Sequence, residues 1–123
     1  MRIIHTNAAP AAVGPYSQAV VAGGMVYTAG QVALDPASGE MVGTSIVEQA
    51  HQVMNNLAAV LNAAGSGFDK AVKTTCFLAD MDDFAEFNAV YAEYFTGKPA
   101  RSCVAVKTLP KGALCEVEVI AEA

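Results

Sequence analysis

The spacing of hydrophobic residues changes period along this chain, and each change marks an element. Gln18 to Ala22 and Met25 to Ala29 are β-branched and small apolar runs around Gly23-Gly24, which supplies the positive φ of a two-residue turn; they predict a β-hairpin. Asp35-Pro36-Ala37-Ser38-Gly39 follows with turn chemistry. From Ser45 the period lengthens: Ile46, Ala50, Val53, Met54, Leu57, Val60, Leu61 and Ala64 recur at three- and four-residue intervals. Ser45 and Glu48 have the spacing of a capping box, and Gly65-Ser66-Gly67 stops the helix. Val72 to Ala79 returns to strand composition, and Asp80-Met81-Asp82-Asp83 offers caps for a second helix over Asp83 to Phe95, with Phe84, Phe87, Tyr91, Tyr94 and Phe95 on or near one face. Gly97 and Pro99 end it, and Arg101 to Val106 and Leu114 to Ala121, joined through Leu109-Pro110-Lys111-Gly112, read as a C-terminal hairpin.

Strands, helix, strand, helix, strands is the order of a single α+β domain over residues 1–123, with both helices on one face of a mixed sheet. The first hairpin carries no charge on either face, since Val20, Ala22, Val26 and Thr28 alternate with Ala19, Val21, Met25 and Tyr27. The uncovered face of the sheet therefore calls for further copies of the chain.

Composition narrows the function classes. With 54% hydrophobic and 15% charged residues, 123 residues make one cored domain and not a disordered segment. A net charge of -5, with seven basic and twelve acidic residues, disfavours nucleic acid and anionic membrane surfaces as partners. Cys76, Cys103 and Cys115 form an odd, widely spaced set without a Cys-x-x-Cys pair, which fits a reducing, cytoplasmic setting and neither a disulfide framework nor a zinc site. The uncharged stretch Thr6 to Leu34 is broken by Gly14-Pro15, Gln18, Gly23-Gly24 and Gln31, so no membrane span is expected. Only His5 and His51 are present, without partners at ligand spacing, and neither a metal nor an organic cofactor is expected.

Arg101, Cys103, Glu116 and Glu118 carry most of the candidate chemistry. Arg101 opens an otherwise uncharged strand, and its guanidinium fork either grips a small carboxylate or pairs with Glu116 or Glu118. Glu116 and Glu118 share one strand face; if that face is covered, a glutamate there must be paired or protonated and is able to move a proton. Cys103 shares Arg101's face, as a core thiol or as part of a pocket lining. Tyr16, in Gly14-Pro15-Tyr16-Ser17, places a phenol at the mouth of the first hairpin.

The segments Ala9 to Gln18, Thr28-Ala29-Gly30-Gln31, Phe87-Asn88, Pro99-Ala100-Arg101-Ser102-Cys103-Val104, Leu109-Pro110 and Cys115-Glu116-Val117-Glu118 together resemble the Rid family, also called the YjgF or UK114 family, of reactive-intermediate deaminases. The resemblance implies a chorismate-mutase-like fold with a six-stranded sheet, a homotrimeric barrel, and ligand clefts between subunits. It also implies hydrolysis of 2-imino and enamine acids such as 2-iminopropanoate and 2-iminobutanoate to 2-oxo acids and ammonia. Arg101 would hold the carboxylate, Glu116 would activate water, backbone groups at Gly30 and Cys103 would fix the reacting end, and Tyr16 and Asn88 would line the cleft. The alternative within the family is a small-carboxylate binder, sensor or holdase without turnover. Two departures concern cleft shape: Ala29 stands where many deaminase members carry serine, and Thr96-Gly97-Lys98 is shorter than the usual loop ending in an aromatic residue.

Overall fold

The computed structural model describes Met1–Ala123. Six strands, β1 (Arg2–Ile4), β2 (Ala19–Ala22), β3 (Met25–Thr28), β4 (Ala71–Leu78), β5 (Ala100–Ala105) and β6 (Cys115–Glu122), form one mixed sheet. Two helices, α1 (Ile46–Ala63) and α2 (Phe84–Tyr94), cover one face. The sheet order is β1-β2-β3-β6-β4-β5, with only β4 and β5 parallel.

Local chemistry sets the ends of these elements. Gly23 and Gly24 have φ of 59° and 76°, the two left-handed residues of the β2–β3 turn. Ser45 accepts a bond from the Glu48 amide while the Glu48 carboxylate accepts from the Ser45 amide, a reciprocal cap of the kind whose loss costs about 1 kcal/mol. At the other end Gly65 takes φ 77°, and the Ser66 and Gly65 amides close onto Leu61 and Asn62. Asp80 caps a short 3₁₀ turn through the Asp82 amide, and α2 starts one residue later than its candidate caps predicted.

The expected C-terminal hairpin is not formed. β6 leaves β5 and inserts between β3 and β4, antiparallel to both, while β5 lies outermost beside β4. The reason is burial: Cys115, Val117, Val119 and Ala121 are fully apolar on one face and suit the centre of the sheet, whereas β5 has only half-buried or exposed residues and suits an edge. β1 was not legible as a strand, because three residues carry too little periodicity.

The core lies between the sheet and the helices, with Val53, Leu57, Val60 and Leu61 of α1 and Phe87 of α2 meeting Val26, Leu78, Val117 and Val119. The opposite face carries no covering layer, and Ile3, Tyr27 and Val104 are exposed on it. No helix is long and apolar enough to cross a membrane.

Candidate functional site

Alternation along the strands decides which side chains share a space. Arg101 registers with Thr74 and Cys103 with Cys76, so both point to the helical face. Glu116 registers with Phe77 and Glu118 with Thr75, which puts both carboxylates on the open face. Within one chain Arg101 and Glu116 are thus separated by the sheet, and each belongs to its own cleft.

On the helical face, a cleft of ≈ 580 Å³ is walled by Asn88, Tyr91, Ala92, Phe95, Thr96, Lys98, Pro99 and Arg101. Arg101 donates from Nη1 to Oδ1 of Asn88 at 2.7 Å, and its guanidinium carbon lies 4.6 Å from the Tyr91 ring centroid and 5.5 Å from that of Phe84. Tyr91 is itself fixed by a 2.8 Å hydrogen bond between its hydroxyl and that of Thr74. The ion pair with Glu116 or Glu118 left open by the sequence is not formed, and no Lys or Arg of the chain pairs with a carboxylate; the one contact of that kind sets His51 Nε2 4.0 Å from Glu93 Oε2. Arg101 is therefore aimed and stacked, yet keeps most of its five N–H donors for something else.

On the open face, a second cleft of ≈ 640 Å³ includes Tyr16, Gly30, Pro110 and Glu116 in its wall. Glu116 is half-buried and no side chain or backbone group bonds its carboxylate; burial, and secondarily Glu118, raise its proton affinity above the ordinary carboxylate range. Gly30 makes room for it: a Cβ there would meet the Glu116 carboxyl group. Tyr16 is exposed at the rim, following Gly14, whose φ of 123° favours glycine.

The structure thus brings Arg101 together with Asn88, and Tyr16 with Gly30 and Glu116. Cys103 packs beside Cys76 rather than into either cleft wall, and burial raises its thiol proton affinity, with Arg101 partly opposing. Burial pushes Cys76 and Cys115 up to about 12, so neither is a nucleophile near neutral pH. His51 is half-exposed with Nδ1 2.7 Å from the Tyr94 hydroxyl and lines neither cleft.

Three positioning residues escaped the sequence reading. Gln18, fully buried, accepts from the Thr6 amide and donates to the carbonyls of Thr6 and Pro10, tying down the loop that carries Tyr16. Asn56 donates to the carbonyls of Val32 and Leu34, and Gln49 accepts from the Leu114 amide, so α1 pins the segments on either side of the open-face cleft. Their signal was an uncharged polar residue in register with an apolar stripe, Asn56 lying three residues from Val53 and four from Val60.

Fold and clefts together define a small α+β protein that presents an arginine pocket on one side of its sheet and a carboxylate pocket on the other. A family model described as endoribonuclease L-PSP matches residues 6–123, and the chain belongs to this family, the Rid or YjgF family. A RutC family protein of Synechocystis is 54% identical over 98% of this chain and 95% of its own. The mouse 2-iminobutanoate/2-iminopropanoate deaminase is 50% identical over 98% of this chain and 90% of its own. Among solved structures, Escherichia coli TdcF with bound serine superimposes with a TM-score of 0.94 at 40% identity, covering 100% of this chain and 99% of that one.

Proposed function

We propose that this protein hydrolyses small 2-imino acids to 2-oxo acids and ammonia, as a homotrimer whose clefts lie between subunits. The observation that carries the reading is the placement of Arg101: held by Asn88 and stacked on Tyr91, half-buried, with no carboxylate partner in its own chain. A fork so oriented fits a ligand carboxylate with two parallel hydrogen bonds. The unpaired Glu116 supplies the complementary group, and the name of the mouse relative gives the reaction class.

Because the sheet stands between Arg101 and Glu116 in one chain, a single ligand meets both only if a second copy brings its own Glu116 to the first copy's Arg101. Three copies closed into a ring with their open faces inward, the β5 edge that carries Arg101 lying beside the next copy's open-face cleft, also cover Ile3, Tyr27 and Val104 and give the barrel and the chorismate-mutase-like arrangement. In such a cleft Arg101 orients the substrate carboxylate, with Asn88 keeping the guanidinium in plane. Glu116 takes a proton from water as the oxygen attacks the imine carbon and returns it to the nitrogen, giving a carbinolamine; it then carries the carbinolamine hydroxyl proton to the nitrogen as the C=O forms, the C–N bond breaks and ammonia leaves. A carboxyl group raised above its ordinary range is better suited to both halves of that exchange than a fully solvated one. Gly30, and the backbone at Cys103, would steady the reacting end, with Tyr16 at the rim. Since imines also hydrolyse unaided, positioning and one proton-transfer group suffice for a useful rate.

The test is to release imine in situ with a threonine dehydratase and to measure ammonia formation against trapping by semicarbazide. Acceleration over the spontaneous rate is expected, from a particle of three times 12.7 kDa in light scattering. A protein that binds 2-oxobutanoate without acceleration would instead be the carboxylate-binding member of the family, and a monomer would remove the shared cleft.

A further inference from the structure

The cleft around Arg101 contains a second cation that the proposed reaction does not use. The chain has seven basic and twelve acidic residues, yet this wall holds Lys98 and Arg101 and no acid. Lys98 is exposed, and its ammonium forms no ion pair or hydrogen bond within the chain. Its backbone has φ 54°, in the left-handed region that favours glycine, although the neighbouring Gly97 does not take that conformation. The Lys98 amide donates to the Phe95 carbonyl at 3.2 Å, and Pro99 stiffens the link to Arg101. Three residues of chain span at most about 10 Å, and Lys98 and Arg101 both line the same space, which places two cationic residues within reach of one ligand that carries two anionic groups. Ala92 and Thr96 line the same wall with small side chains that leave room for a short methylene spacer.

We infer that this cleft selects 2-imino and 2-oxo dicarboxylic acids of four or five carbons, with Arg101 taking the carboxylate next to the reacting carbon and Lys98 the distal one. The inference rests on the deaminase reading and names its substrate class. For the four-carbon case one imino dicarboxylate and one water give one 2-oxo dicarboxylate and one ammonia, with no redox change. Such imines are released when an acidic amino acid is oxidised at its α-carbon, or when its 3-hydroxy derivative loses water. Reactions of one of those two kinds must therefore supply the substrate.

The experiment compares binding of 2-oxobutanoate with that of oxaloacetate and 2-oxoglutarate to the intact protein by calorimetry, and repeats imine hydrolysis with mono- and dicarboxylic imines generated in situ. A dicarboxylate preference of about fivefold is expected, the scale of one exposed charge pair, and it should shrink as salt is raised. In Lys98→Met the preference should fall towards one, while Lys70→Met, which removes a charge outside this wall, should keep it. Equal binding of the two ligand classes by the parent, or a preference that survives Lys98→Met, overturns the inference and leaves the deaminase reading standing. Failure to hydrolyse any imine overturns that reading and this inference with it. If Lys98→Met breaks the assembly in light scattering, Lys98 serves a subunit contact and the inference falls.

Discussion

A side chain on Gly30 and the carboxyl group of Glu116 compete for one volume: a Cβ on Gly30 would stand 2.8 Å from Cδ and Oε2 of Glu116 and 3.0 Å from its Cγ. Gly30 is not in the left-handed region, so alanine is conformationally acceptable there, and the clash falls on the movable end of a flexible side chain. Gly30→Ala should therefore keep its melting temperature within a few degrees while losing about tenfold or more in imine hydrolysis, because the carboxylate is displaced. Paired thermal unfolding and turnover measurements check this; a variant that melts well below the parent yet keeps its turnover would make Gly30 a purely structural residue.

Glu116→Gln separates proton transfer from packing. Turnover should drop on the order of a hundredfold with 2-oxobutanoate binding little changed. Stability should move the other way. Since burial raises the Glu116 proton affinity in the native state, ionisation there costs stability; the cost is absent below the ordinary carboxylate range, grows as pH rises through the raised value, and persists above it. At pH 7 the glutamine variant should melt at or slightly above the parent, and at pH 4 the two should converge. A lower melting temperature at pH 7 would mean that Glu116 is ion-paired in the native protein.

Arg101→Lys keeps the charge but loses the fork, the bond geometry to Asn88 and the planar stack on Tyr91. Carboxylate affinity should fall about tenfold or more, the worth of one charge-assisted hydrogen bond, and hydrolysis should fall with it. Calorimetry with 2-oxobutanoate reads the first and the semicarbazide competition the second; unchanged affinity would remove Arg101 from the site.

The three thiols should behave as packing groups. In the native protein at pH 7.5 iodoacetamide should reach at most Cys103, since Cys76 and Cys115 are buried and pushed up to about 12, and all three should react after denaturation. Cys103→Ala should retain turnover within severalfold. Rapid native alkylation of two or more cysteines, or abolition of turnover in the alanine variant, contradicts this account.

Much of this was legible in order along the chain and little of it across the sheet. Ser45 with Glu48, Gly23-Gly24 and the α1 stripe announce local structure because their partners lie within four residues. The position of β6 was misread because neighbours in sequence usually pair, and only the burial demand of Val117 and Val119 overrides that habit. Arg101 and Glu116 stand out by type and periodicity, and their opposite faces follow only once β4 supplies a common register. The Arg101 contact with Asn88 and the approach of Gly30 to Glu116 join distant segments, so no spacing rule announces them.

The central seat of β6 also bears on biosynthesis. Every other strand precedes it, yet β1-β2-β3 and β4-β5 touch only through it, so during synthesis the two sub-sheets emerge with apolar edges that nothing yet joins. The nascent chain completes its sheet only when Cys115–Glu122 has left the ribosome and threads between two waiting edges, a non-local step of the kind that slows folding. Until then the exposed edges of Met25–Thr28 and Ala71–Leu78 are its aggregation-prone surfaces, and a chaperone acting on this protein would have those two edges to shield.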